Sequence, residues 1–141
     1  LRYLLDTNIC IYALKNRPPE VLERLREVGR AAVAVSVITV LELRQGAEKS
    51  QQSAANHARL DFFLKPIPVL DFEQKDASVA ARLRAHLGRQ GKPIGDLDSL
   101  IAAHALAREL ILVTNNVREF GRVPSLQVEN WVEQQSTPAG P

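Results

Sequence analysis

The chain has 141 residues, 45% of them hydrophobic, with 18 Lys and Arg against 16 Asp and Glu for a net charge of +2. That length gives one domain with a conventional core, and no apolar run approaches the roughly 20 residues that cross a bilayer. Cys10 is the only cysteine, so no internal disulfide forms, and with no basic-then-apolar leader the expectation is a water-soluble cytoplasmic protein without a membrane partner.

Tyr3-Leu4-Leu5 is a short apolar run ending in the helix-capping residues Asp6-Thr7-Asn8, and Ile9 to Leu14 follows as a first helix. Pro18-Pro19 opens a second helix, with Val21, Leu25 and Val28 on its apolar face and Gly29 as its stop. Ala32 to Ser36 reads as a buried strand, and Val37 to Glu48 resumes helical spacing. A polar stretch from Lys49 to Asn56 separates this helix from another that ends at Lys65-Pro66, and Pro68-Val69-Leu70 is a third strand. Ala80, Leu83 and Leu87 mark a helix that Gly91 ends, and Leu97 to Ala107 is apolar almost all the way round, as for a helix buried on every side. Leu110 to Val113 is a further strand, stopping at Thr114-Asn115-Asn116, with a weaker strand over Gln127 to Trp131. A single domain is expected over residues 1–133, with a flexible tail over 134–141.

Strands alternating with helices predict a three-layer α/β/α domain with a mostly parallel sheet, and sites in such sheets lie at the strands' carboxyl ends. Asp6 and Asn116 fall at that edge, and Glu42 and Asp98 lie near the starts of helices that leave it. Asp6 alone is explained as an N-cap, a role that coexists with catalysis. Glu42 sits in the apolar stretch Val37-Ile38-Thr39-Val40-Leu41-Glu42-Leu43, where a carboxylate is paired, metal-bound or turned to solvent, and Arg44 is one candidate partner. Asp98 follows Gly95-Asp96-Leu97, and two acids exceed what one cap requires. Acids brought together repel one another and retain protons unless a divalent cation offsets their charge. An oxygen-only donor set suits Mg²⁺ or Mn²⁺, which bind substrate phosphates.

Other groups are read more plainly. His57, His86 and His104 are satisfied or exposed, and Cys10 is core. Arg17, Arg24, Arg26, Arg30 and Arg44, with Arg82, Arg84, Arg89 and Lys92, form either a basic rim for a phosphate backbone or a solvated face interleaved with acids. Aromatic residues make up 5% of the chain, so shape and backbone contacts are expected ahead of base stacking.

In L-L-D-T-N-I-C-I-Y, L-E-L-R-Q-G-A-E-K-S, R-Q-G-K-P-I-G-D-L-D-S-L-I-A-A-H-A and L-V-T-N-N-V-R-E-F, taken in order, the sequence resembles the PIN-domain ribonucleases, specifically the VapC toxins of toxin–antitoxin pairs. The resemblance implies that Asp6, Glu42 and Asp98 form an acidic triad with Asp6 and Asp98 on the metal, and that RNA, such as tRNA, is cut to stop translation and growth. It also implies a VapB-like antitoxin at the active site, a homodimer within the complex, and DNA contact only through the antitoxin. Many PIN domains carry a fourth acid where Asn116 stands, so Asn116 takes a site position, with Asp96, Thr114 and Glu119 as possible supports. Two alternatives stay open: a phospho-receiver domain using Asp71, and a PIN scaffold without activity.

Overall fold

The computed structural model describes residues 1–132, so the expected tail lies outside the described residues. Five strands, β1 (Tyr3–Leu5), β2 (Val33–Ser36), β3 (Val69–Leu70), β4 (Ile111–Val113) and β5 (Val128–Glu129), form one sheet in the order β3-β2-β1-β4-β5. Every pairing is parallel, with Leu4 of β1 opposite Ala34 of β2 on one side and Leu112 of β4 on the other. The chain builds outward from β1 to β3, then returns to β4 on the opposite side. The carboxyl ends of β1 and β4 therefore form the switch point at which such sheets open a crevice.

Seven helices cross between or follow the strands: α1 (Thr7–Lys15), α2 (Pro19–Val28), α3 (Val37–Lys49), α4 (Ser53–Leu64), α5 (Gln74–Arg89), α6 (Asp96–Arg108) and α7 (Val117–Phe120). Strand side chains alternate between faces. Tyr3, Leu5, Val33 and Val35 pack with Ile9 of α1, Leu25 of α2, Leu43 of α3 and Phe63 of α4, whereas Leu4, Ala34 and Leu112 pack with Leu83 and Leu87 of α5 and Ile101 and Ala105 of α6. These two cores make the three layers. All core strands are buried on both faces, which is why they read as unbroken apolar runs.

The structure departs from the sequence reading in a few places. The polar stretch after α3 is mostly helix, because α4 starts at Ser53 and leaves only Ser50 to Gln52 between the two. Polar residues there form the solvent face of a helix and not a loop. The last strand shrinks to Val128–Glu129. In α6, Ser99 and Ile101 to Ala105 are buried while Leu100 and Leu106 are half-buried, so the helix is covered by the sheet and α5 but not on every side.

Candidate active site

The N-terminal half of the site grows from the end of β1. Asp6 has extended backbone and caps α1, accepting the Ile9 N–H at 2.9 Å. It is 5% exposed, and the buried Thr114 hydroxyl, just beyond β4, donates to the same carboxylate. Capping and a place in the crevice thus coexist in one residue. Thr7, the next residue, donates from Oγ1 to Glu42 Oε1 at 2.7 Å and lies 3.3 Å from Thr39 Oγ1. That bond ties α1 to α3 and holds the Glu42 carboxylate on the side of the cleft where Asp6 sits. Glu42 is half-buried and does not pair with Arg44, whose guanidinium goes to Asp61 and His57.

The C-terminal half is contributed by α6 and α7. Asp98 lies in the first turn of α6 and shares a hydrogen bond with Glu119 on α7. Glu119 also accepts the Gly95 N–H at 2.9 Å and the Asn116 amide at 2.6 Å. Gly95 keeps this packing close, since a Cβ there would stand 3.3 Å from Asp98 Oδ2, a tight approach, and 3.8 Å from Glu119 Oε1. Asn116 itself is exposed, and its backbone N–H donates to Thr114 Oγ1 at 2.9 Å. A relay of polar groups therefore joins Asn116 through Thr114 to Asp6.

The acids act on one another's charge across the crevice. Burial pushes Asp98 up to about 7, aided by the hydrogen bond and charge of Glu119 and the charges of Glu42 and Asp6. Burial also raises Asp6 to about 6, with Glu42 adding to the rise and the bonds from Thr114 and Ile9 opposing it. No arginine or lysine relieves either residue among the described interactions. Asp96 stands apart: it is exposed, and its carbonyl is the group that holds Ser99 and Arg84. The sequence reading singled out Asp6, Glu42, Asp98, Thr114, Asn116 and Glu119, and these come together. It treated Thr7 only as a capping residue, although its place directly after Asp6 was the signal. The short helix α7, which brings Glu119 inward, was not foreseen.

The remaining candidates have structural work. His104 is fully buried, with Nδ1 2.8 Å from Ser36 Oγ and Nε2 3.1 Å from the Asp71 carbonyl. Cys10 is buried, and burial pushes its thiol up. The basic rim is only partly free, because Arg24 pairs with Glu27 and Glu129, and Arg84 is bound to Ser99 and the Asp96 carbonyl. Asp71 is exposed at the edge strand β3, with β2 between it and β1, so the receiver-like arrangement with Asp6 does not form.

A doubly wound parallel domain with an all-carboxylate crevice at its switch point is the class that these features define. A family model for the PIN domain matches residues 3–126. The chain is 46% identical over 131 residues to the tRNA(fMet)-specific endonuclease VapC of Shigella flexneri, covering 93% of this chain and 98% of the relative. It is 48% identical over 132 residues to ribonuclease VapC2 of Haemophilus influenzae, covering 94% and 99%. Among solved structures, the DNA-bound VapBC of Salmonella typhimurium matches with a TM-score of 0.89 and 41% identity, covering 94% of this chain and 99% of that one. VapBC2 of Rickettsia felis, bound to a fragment of its promoter DNA, matches with a TM-score of 0.84 and 40% identity over 94% and 100%. The chain belongs to the PIN-domain family, among its VapC ribonucleases. PIN-domain ribonucleases depend in general on a divalent metal. Among the described residues no helix is long and apolar enough to cross a membrane.

Proposed function

We propose that this chain is the toxin of a toxin–antitoxin pair and that it hydrolyses RNA phosphodiester bonds with Mg²⁺ or Mn²⁺ at the crevice between β1 and β4. The observation that carries this reading is that Asp6, Glu42, Asp98 and Glu119, from four separate elements, border one crevice closely enough to act on one another's charge, with Asp6 and Asp98 both driven to hold protons. Such a cluster fits a hard divalent cation, whose charge would offset the repulsion. Among the described residues no three acid, imidazole or thiol groups converge on one point. In this reading the ion takes two carboxylates, with water and substrate phosphate completing its shell, the habit of Mg²⁺.

Asp6 and Asp98 are the residues that would hold the cation, which when bound supplies positive charge to the phosphate oxygens. Glu42, steadied by Thr7, orients the attacking water and takes its proton. The oxygen of that water bonds to phosphorus, the bond to the ribose O3′ breaks, and the departing O3′ gains a proton. Glu119 takes the place of the fourth acid, while Asn116 and Thr114 position Glu119 and Asp6; Asp96 is too exposed to share that role. Products are a 5′-phosphate and a 3′-hydroxyl.

The relatives in Shigella flexneri and Salmonella typhimurium are named tRNA(fMet)-specific endonucleases. We carry this to the present chain, for which initiator tRNA becomes the substrate and arrest of translation in the cytoplasm the outcome. The partner is a VapB-like antitoxin, with a toxin dimer in the complex and DNA reached through the antitoxin, in keeping with the DNA-bound VapBC structures. An apolar groove lined by Ile11, Leu14, Leu43, Ala47 and Leu60 ends at Glu42 and suits the antitoxin peptide, leaving a basic side chain to meet the acids.

Sequencing of 5′-phosphate ends after induction tests the proposal. Wild type should create new ends in initiator tRNA, and Asp98→Asn should reduce them by about a hundredfold or more. Products ending in 2′,3′-cyclic phosphate would reject the water mechanism, and absence of cleavage by wild type with either metal would leave an inactive scaffold.

A further inference from the structure

The surface between α2 and α4 holds a feature that the acid site does not use. Phe62 on α4 is 83% exposed, the most solvent-exposed of the large apolar side chains. It borders two adjoining depressions, one with Arg26, Arg30 and Arg59 and the other with Arg30, Lys65 and Pro66. The first of these shares Leu14 and Arg59 with the groove that ends at Glu42. The three depressions thus adjoin one another, with Glu42 lining the first and Pro66 the last. Among the described residues that line them, Glu42 is the only carboxylate.

The cations lining these depressions differ from those that tie elements together. Arg24, Arg44 and Arg108 are committed to carboxylates. Among the described residues Arg26, Arg30, Arg59 and Lys65 have no ion-pair partner, and Arg30 Nε is shielded from water without an acceptor. Unpaired cations around a bare aromatic ring match a strand of alternating phosphates and bases. With a net charge of only +2 over the whole chain, this local concentration of free positive charge, and not the overall field, is what could hold a polyanion.

We propose that this cleft is the track along which the RNA strand extends from the acids, with one base stacked on Phe62 and phosphates held by Arg26, Arg30, Arg59 and Lys65. The inference rests on the ribonuclease reading above and adds a binding subsite to it. It replaces the sequence-based expectation that stacking plays little part. It also gives the antitoxin a second means of inhibition, because a peptide in the groove beside Glu42 would interrupt the track.

The test uses the full chain in an Asp98→Asn background, with fluorescein-labelled initiator tRNA as the probe and anisotropy across a salt series. Phe62→Ala should weaken binding about tenfold, and Phe62→Trp should restore it. Replacing Arg26 and Arg59 together by Gln should flatten the slope of log affinity against log salt by about 1.4, the share of two phosphate contacts to a single strand. In the active protein Phe62→Ala should raise KM and leave kcat within about twofold. Because stacking and phosphate contacts tolerate sequence, a parent protein that cuts RNA yet does not bind this probe would overturn the track alone, as would variants with unchanged affinity and slope. Loss of antitoxin binding with RNA affinity intact would also overturn it and assign the cleft to the protein partner. If wild type cuts no RNA, the ribonuclease reading falls and takes the track with it.

Discussion

The acids around Asp98 and the acid at Asp76 are both withdrawn from water, yet their protons behave in opposite ways. Burial pushes Asp76 up, but Arg108, the Glu73 N–H and the nearby His104 outweigh it and hold the carboxyl below its usual range. Asp6 and Asp98 have hydroxyl, amide and carboxyl neighbours but no cation, and both rise. Desolvation acts on all three. The difference is the company that each acid keeps, and it separates a buried acid that ties elements together from buried acids held ready for something absent from the polypeptide.

Breaking the paired cluster should give the largest effect on stability. Arg108→Met leaves Asp76 buried without its guanidinium and should cost about 3–5 kcal/mol in urea unfolding, with cleavage per folded molecule unchanged.

The unpaired cluster should answer to pH and metal instead. Asp6 and Asp98 keep protons that the unfolded chain has already released, so their penalty on the metal-free fold is full above about pH 7 and fades as pH falls towards the ordinary carboxylate value of 3.8. His104, whose charged form burial disfavours, and Asp76, held below its usual range, oppose this trend on the acid side. The difference in Tm with and without Mn²⁺ cancels both and should grow with pH. It is expected to be near nothing at about pH 5 and roughly 10 °C at about pH 8 with metal near a hundred times its Kd, by differential scanning fluorimetry. A constant difference across that range would remove the acids from the metal site.

The smallest effect sharpens the comparison within the site. Thr7→Val removes the bond that fixes Glu42 and should lower kcat about fivefold with little change in KM, while Thr7→Ser restores it.

Much of this was legible in the sequence. The strand-to-helix switches at Asp6 and Ser36 were readable because caps and apolar runs are local signals, and they placed Asp6 and Glu42 at one edge. Asp98 was readable because a second acid beyond the cap needed a reason. Glu119 was named only as a support, since a four-residue helix has too little periodicity to show that it turns its acid inward. The distinction between committed arginines and those lining the cleft was not legible at all. Arg24 meets Glu129 across most of the chain, and Arg59 and Lys65 belong to the cleft because α4 comes to line it opposite α2, neither of which is a local property.

The strand order has a consequence for how the protein comes into being and is lost. Asp6 stands just after the first strand and Glu119 beyond the fourth, which inserts beside the first. A ribosome must deliver nearly the entire domain before the set is complete, and one protease cut between them followed by separation leaves neither fragment with all four acids. With the four acids in the roles proposed for them, the molecule is inert while being made and again once broken.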